Sequence, residues 1–399
     1  MSKKILHKVY KKITRLGTRL SEFPKVLWLN LKLTFRPRDR SSFLVEITTT
    51  NEFFYLRSVL AALAKEGESL VLMTKHSEVK EALKLLINEH FTTTQAVTLI
   101  DSFWYNSIFS LDFYLNATLS YDIKVPKRAK YKINFPHTIT SKTRYDVFSP
   151  AIEQMTDIFL TGPAFKEDTL RYCRDHNLAR IPRLHEVGCP KSDVLFGPLA
   201  DRKTVLEQVG LDPKLPTIFY APTWNPETSL FTFWREVILS LPEKYNVNLV
   251  VKIHPGAYID PSNKKSSGGV DWKQFFDSLE SPKIYNAYRV DSPELIKASD
   301  LAITDISTIW IEYYFLRKSI LFLDIPEFFK THEMNSLGEF RNTYGQLVKT
   351  AAEFYEALER RLGDSKQELA ETKLDDRLLY NRGRATEETL KAIKTLKNQ

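Results

Sequence analysis

The sequence predicts an α/β chain built as two Rossmann-like units, preceded by a basic amphipathic segment. Three observations lead there. From Phe43 onward, short apolar runs alternate with stretches of helical character, the pattern of βαβ units and parallel sheets. At 399 residues, 43% hydrophobic and 12% aromatic, the chain exceeds the size that one core usually serves. Several of the apolar runs also end on polar or turn-forming residues, as strands do where an open parallel sheet borders its ligand crevice.

Residues 1–40 stand apart by charge. They hold twelve Lys or Arg against Glu22 and Asp39, while the whole chain is only +8, so everything after them is slightly acidic. Ile5, Leu6, Val9, Ile13, Leu16 and Leu20 recur at helical spacing beside that cationic face, and Val26, Leu27, Trp28, Leu31, Leu33 and Phe35 continue the apolar material. This is the pattern of a helix lying in an anionic membrane surface, where each basic residue adds about 1 kcal/mol of attraction. A helix packed on the body is the competing reading. No apolar run of ~18 residues is present to span a bilayer, and Lys11, Lys12, Arg15 and Arg19 break any signal-peptide core. A nucleic-acid partner is not expected, since no recognition motif follows.

Residues 41–198 are expected to form the first Rossmann-like domain. Strands are predicted at Phe43–Ile47, Ser69–Met73, Ala96–Ile100, Tyr131–Phe135, Asp157–Leu160 and Ile181–Val187. Helices are predicted at Asn51–Lys65 and Ser77–Glu89, and from Pro163 to about His176; the aromatic-rich stretch Phe103–Leu119 also reads as helical. The turn Phe196–Asp201 is the predicted boundary, and residues 199–380 the second domain. Its strands are Thr217–Tyr220, Val247–Ile253, Leu301–Ile303 and Ile320–Leu323. Pro261–Gly269 is a polar loop, and residues 381–399 carry a terminal helix over Ala385–Leu396. Two cysteines, Cys173 and Cys189, fit a reducing setting and read as small buried hydrophobes.

The chemistry gathers at strand ends of the second domain. Thr217–Tyr220 runs into Ala221, Pro222, Thr223 and Trp224, and Val247–Ile253 into Lys252, His254 and Pro255. Leu301–Ile303 ends at Thr304 and Asp305, followed by Ser307, Thr308 and a helix bearing Glu312. Lys252 can neutralise a phosphate, and His254 can donate to one or exchange a proton near neutral pH. Ser307 and Thr308 stand where a helix N-terminus would offer N–H groups to an anion, although hydroxyls there serve equally as helix caps. Asp305 suits a cap of the following turn. No Asp-x-Asp pair lies in a loop, so no metal and no other cofactor is expected.

Taken together, Phe219–Trp224, Lys252–Pro255 and Ala298–Thr308, with Glu312 and the Ile320–Asp324 strand, resemble the CDP-glycerol glycerophosphotransferases and related polyol-phosphate transferases of teichoic acid and capsule synthesis. The resemblance is strongest over roughly residues 130–330. It differs in Ser307–Thr308, where relatives more often show two serines, and in His137–Thr138, where they commonly show His-Gly.

That resemblance implies a GT-B-like fold, with the terminal helix crossing back to the first domain. It implies transfer of a polyol phosphate, glycerol phosphate foremost, from CDP-glycerol or a related CDP-polyol to a hydroxyl of a lipid-linked glycan or polyol-phosphate polymer. His137 would be the catalytic base, and Lys252, His254, Ser307 and Thr308 would stabilise the leaving CMP, with Pro222, Thr223, Thr304 and Asp305 beside them. Glu312 would meet ribose hydroxyls. The expected location is cytoplasmic, at the inner face of the cell membrane. A GT-B glycosyltransferase or UDP-sugar 2-epimerase is one alternative; a non-catalytic glycolipid-binding protein at the membrane surface is another.

Overall fold

The computed structural model describes residues 20–92, 96–119, 123, 125–139, 148–259, 267–279, 281–288, 290–333, 340–363 and 374–399. The amphipathic run before Leu20, and most of the predicted loop Pro261–Gly269, lie outside the described residues.

The first sheet has seven parallel strands: β1 Ser42–Glu46, β2 Ser69–Thr74, β3 Val97–Asp101, β4 Phe113–Asn116, β5 Tyr131–Asn134, β6 Asp157–Leu160 and β7 Arg183–Glu186. The second has six: β8 Thr217–Ala221, β9 Asn248–Val251, β10 Ile284–Asn286, β11 Leu301–Thr304, β12 Ser319–Leu323 and β13 Gln346–Val348. Their orders are β3-β2-β1-β4-β5-β6-β7 and β10-β9-β8-β11-β12-β13. Each sheet therefore reverses direction once, between β1 and β4 and between β8 and β11. At such a switch point the loops leaving two adjacent strands diverge to opposite faces and open a crevice at the strands' carboxyl ends.

One predicted element changes type. Phe103–Leu119 is a 3-10 turn over Ser102–Ser107 followed by the strand β4 at the centre of the sheet. Phe113, Tyr114 and Leu115 are buried on both faces, with Phe113 stacked 4.6 Å from Phe43 and 5.0 Å from Tyr131. A strand buried on both faces has no alternation to betray it, so its apolar run reads like helix. The short edge strands β10 and β13, three residues each, had no periodicity to show.

The helix Phe23–Thr34 buries Val26, Leu29 and Leu33 against Leu44, Val71 and Ile100. Asn30 fixes it in place, donating to Ser107 O at 2.6 Å and accepting from Phe109 N at 2.8 Å. Its other face is apolar and open to solvent, with Phe23 53%, Trp28 57% and Phe35 81% exposed, and Leu27 and Leu31 between them. No helix among the described residues is long and apolar enough to cross a membrane.

The chain's last helix, Ala385–Lys397, packs on the first sheet. Ile393 and Leu396 enter the core beside Phe43 and Leu60, and the Asp193 carboxylate accepts from Ala385 N and Thr386 N at 2.9 and 2.7 Å. Two glycines let this segment approach. A Cβ on Gly162 would meet Leu378 O at 2.0 Å, and one on Gly188, at φ +94°, would meet Tyr380 O at 2.3 Å. At both positions a side chain would collide with backbone, and at Gly188 the left-handed φ adds a second reason for glycine.

Candidate active site

Register brings the loops together. Glu46 of β1 pairs with Asn116 of β4, which pairs with Asn134 of β5, so three strands end level. Beyond those ends stand Thr48, Thr49 and Glu52, then Thr118, then His137. In the second sheet Ala221 pairs with Thr304, and Thr304 with Phe322, while Tyr220 pairs with Val251. This aligns Pro222–Asn225, Lys252–Pro255 and Ser307–Ile309. The two sets face each other around a cavity of about 390 Å³, lined from one side by Glu52, Tyr55, Thr118, His137 and Lys191 and from the other by Pro222, Thr223, Lys252, His254, Ser307, Thr308 and Glu312.

Eight of the ten residues singled out from the sequence line this cavity: His137, Pro222, Thr223, Lys252, His254, Ser307, Thr308 and Glu312. Thr304 and Asp305, expected beside them in donor binding, are not among its lining residues. Both side chains are fully buried and used internally. Thr304 Oγ1 donates to Ala221 O at 2.7 Å. The Asp305 carboxylate accepts from Thr223 N at 2.9 Å, Ser229 N at 3.1 Å, Ser229 Oγ at 2.7 Å and Ile306 N at 2.6 Å. Its acceptor sites are spent in stapling the 222–229 loop to the end of β11. That staple holds Thr223 at the cavity wall, where its Oγ1 is buried without a hydrogen-bond partner among the described residues. A buried orphan hydroxyl is costly in a finished fold and is expected where a ligand completes it.

Ser307 and Thr308 precede a helix of only six residues, Trp310–Phe315, whose N-cap is Ile309 with no side-chain cap hydrogen bond. They line the cavity, and the capping reading does not describe them. Lys252 Nζ donates to Val290 O at 2.5 Å and sits 3.4 Å from Ala287 O. Burial, seconded by the charge of Lys191, carries its pKa down to about 8. An ammonium so placed gains from any anion that enters. His254 lies beside Trp224, ring centroids 5.9 Å apart. His137 Nδ1 donates to Ala117 O at 2.8 Å, which fixes the tautomer of the neutral ring and puts its lone pair on Nε2.

Sequence reasoning passed over Lys191, Glu52, Thr118 and His332, all of which line the cavity. Lys191 Nζ binds Glu312 Oε1 at 2.8 Å and stands 5.1 Å from the Tyr55 ring centroid. Burial opposes its charge, but Glu312 and its other anionic neighbours prevail and hold its pKa well above the ordinary lysine value. The Glu312 carboxylate, expected to meet a ribose, is thus also a partner for a cation from the first half of the chain, with Ser292 Oγ 3.3 Å from its other oxygen. A second pair, Arg57 with Asp291 at 3.1 Å, joins the same two halves. Among the described residues no group of three or more His, Cys, Asp or Glu stands where it could hold a metal ion.

The CDP-Glycerol:Poly(glycerophosphate) glycerophosphotransferase family matches residues 141–395, more than half the chain. The chain belongs to that family. Among curated proteins, the teichoic acid glycerol-phosphate primase of Bacillus subtilis (strain 168) is 25% identical over 182 residues, 45% of this chain and 39% of the primase, so the match spans less than half of that relative. Among solved structures, the wall teichoic acid polymerase TagF superposes at TM-score 0.65 with 14% identity, covering 100% of this chain and 99% of that one. The UDP-GlcNAc 2-epimerase of Methanocaldococcus jannaschii, in complex with UDP-GlcNAc and UDP, superposes at TM-score 0.58 with 14% identity over 89% of this chain and 99% of that one. At such identities the likeness concerns the fold, and the fold is GT-B-like.

Proposed function

We propose that this protein transfers a polyol phosphate, glycerol phosphate foremost, from a CDP-linked donor to a hydroxyl of a lipid-linked glycan or polyol-phosphate chain in teichoic acid or related cell-surface polymer synthesis. The observation that carries this reading is the two-sided cavity of a family member. An imidazole with its lone pair on Nε2 faces a cluster of cation, imidazole and hydroxyls whose Thr223 Oγ1 has no partner among the described residues.

The chemistry follows from that arrangement. The acceptor oxygen attacks the polyol-side phosphorus of the donor diphosphate as His137 Nε2 takes the hydroxyl proton. The bond from that phosphorus to the bridging oxygen breaks, and CMP leaves with its electron pair. Negative charge then grows on CMP, where Lys252 and His254, with the hydroxyls of Thr223, Ser307 and Thr308, donate or neutralise. Donors already aimed at developing charge are the largest ordinary source of rate enhancement, and general-base help adds typically 10²–10⁴-fold. Glu312, anchored by Lys191, borders the same cavity and is our candidate for the ribose hydroxyls.

The open face of the Phe23–Thr34 helix supports a seat on the inner surface of the cell membrane, where a lipid-linked acceptor would be presented. Its stripe Phe23, Leu27, Trp28, Leu31 and Phe35 is exposed beside Lys32, and the strongly basic first 40 residues precede and include it.

The test is incubation of the purified chain and its His137→Ala variant with CDP-glycerol, CDP-ribitol and UDP-GlcNAc in the presence of a lipid-linked acceptor. Release of CMP from CDP-glycerol by the wild type, abolished in His137→Ala with donor binding intact, is the expected result. Reaction of UDP-GlcNAc alone would point to the epimerase or glycosyltransferase use of the same fold. No turnover of any donor, with a glycolipid still bound, would leave a binding protein.

A further inference from the structure

The mechanism above leaves one buried carboxylate of the cavity without a task. Glu52, in the first turn of the Thr50–Lys65 helix, is 4% exposed and reaches the cavity wall beside His137. Its Oε2 accepts from Thr48 N at 2.6 Å and its Oε1 from Thr118 Oγ1 at 2.8 Å. Thr118 Oγ1 in turn lies 3.4 Å from His137 Nδ1. The hydroxyl has one proton. Given to Glu52, it leaves the oxygen's lone pairs turned toward the ring N–H.

We propose that Glu52 is a positioning residue for His137, acting through the Thr118 hydroxyl to orient the imidazole and to stabilise the imidazolium that forms when it takes the acceptor's proton. The proposal rests on the reading of His137 as the base. Two carbonyl and hydroxyl oxygens, Ala117 O at 2.8 Å and Thr118 Oγ1, then share the Nδ1–H, and a carboxylate stands one hydroxyl behind them. The arrangement matches what a ring that must gain a positive charge requires, because an anion within ~4–6 Å favours the charged form by one to three pH units.

The surroundings of Glu52 argue against a purely structural carboxylate. A polar chamber of about 10 Å³ opens behind it, lined by Glu46, Lys75, Asn116 and Thr118, with room for one water. Among the described residues, the titratable groups facing Glu52 are Glu46 at the end of β1, Lys75 after β2, Tyr114 on β4, whose hydroxyl donates to Glu46 at 2.5 Å, and His137 after β5. Tyr55, one turn along the helix, and Lys191 share the larger cavity with it. Burial, opposed by the hydrogen bonds from Thr48 and Thr118 and seconded by Glu46, pushes the Glu52 carboxyl up to about 7, so it changes charge in the range where a base of this kind works. A helix-capping glutamate would be expected at the surface; this one is sunk beside the base.

The test measures His137 itself. In the full chain with isotope-labelled histidines, the His137 signal, assigned by its loss in His137→Ala, is followed against pH in wild type, Glu52→Gln and Thr118→Val. Glu52→Gln should lower the His137 midpoint by about one unit and cut kcat about tenfold, with KM for the CDP-linked donor unchanged. Thr118→Val keeps the carboxylate and should lower the midpoint by less, while Glu52→Asp should restore it toward wild type. An unmoved midpoint in Glu52→Gln overturns the coupling, whatever happens to turnover. Wild-type turnover in His137→Ala would overturn the base assignment instead, and with it the catalytic meaning of Glu52, and is recorded independently of the titration.

Discussion

Replacing Glu52 by Gln should make the protein more stable at neutral and alkaline pH, with a gain that grows from pH 4.5 to 7 and is absent below 4.5. Burial is the largest influence on this carboxyl; hydrogen bonds from Thr48 and Thr118 oppose it and Glu46 reinforces it, leaving the group near 7 against an ordinary 4.5. The sign follows from which state holds the proton more tightly. Below pH 4.5 the carboxyl is protonated in both folded and unfolded chains, and its burial carries no ionic cost. Between 4.5 and 7 the unfolded chain ionises first, so stability falls as pH rises, and above 7 the full cost is present. A gap of this size corresponds to roughly 3 kcal/mol at 1.36 kcal/mol per unit. Gln has nearly the same shape and no charge to bury, so its curve should lack that descent. Urea unfolding of both proteins at pH 5, 6, 7 and 8, read by tryptophan fluorescence, measures the difference directly. Parallel curves would refute the reasoning, because they would mean that the carboxylate is as well solvated folded as unfolded. A more stable but slower Glu52→Gln enzyme is the combination expected where a site is strained for function.

Replacing both Ser307 and Thr308 by Ala should weaken CDP-glycerol binding at least tenfold by calorimetry, since a hydrogen bond to a charged group contributes roughly 1.5–3 kcal/mol; unchanged affinity in a folded variant would remove them from the donor site. Lys252 is depressed to about 8, so its charge is present below that pH and lost above it. Donor affinity should therefore fall as pH rises from 7 to 9, and Lys252→Met should bind weakly with a flat profile over the same range. Changing Phe23, Leu27, Trp28 and Leu31 together to Ser should release the protein from anionic vesicles in sedimentation while sparing activity on a short soluble acceptor. Retention on the vesicles at low salt would place the docking surface elsewhere.

Much of the fold was legible because its signals are local. Alternating apolar runs and helical stretches marked β1, β5, β8, β9 and β11 to within a residue or two. Turn residues after Ala221, Lys252 and Thr304 marked strand ends, which is where a parallel sheet binds its ligand. The sequence misled where burial erased periodicity. Phe113–Asn116 looked helical because both of its faces are covered, and only its place between β1 and β5 makes it a strand. Thr304 and Asp305 sit in a strand-end motif, and the sequence does not show where their side chains turn. The side-chain direction that commits them to Ala221, Thr223 and Ser229 is a fact of packing between β8 and β11.

What the sequence determined by itself is the segregation of charge in the first 40 residues, the two-sheet α/β architecture and a set of polar strand ends in the second half. What only the tertiary structure decided is which residues share one cavity. Glu52, Thr118 and His137 are spread over more than eighty positions, and Lys191 and Glu312 over more than a hundred. No spacing rule relates them, because their meeting depends on the level ends of β1, β4 and β5 and on how one sheet faces the other. The same holds for charge. Whether Lys252 or Glu52 carries its ordinary proton at neutral pH is set by how much water burial removes, and burial is a property of the assembled fold.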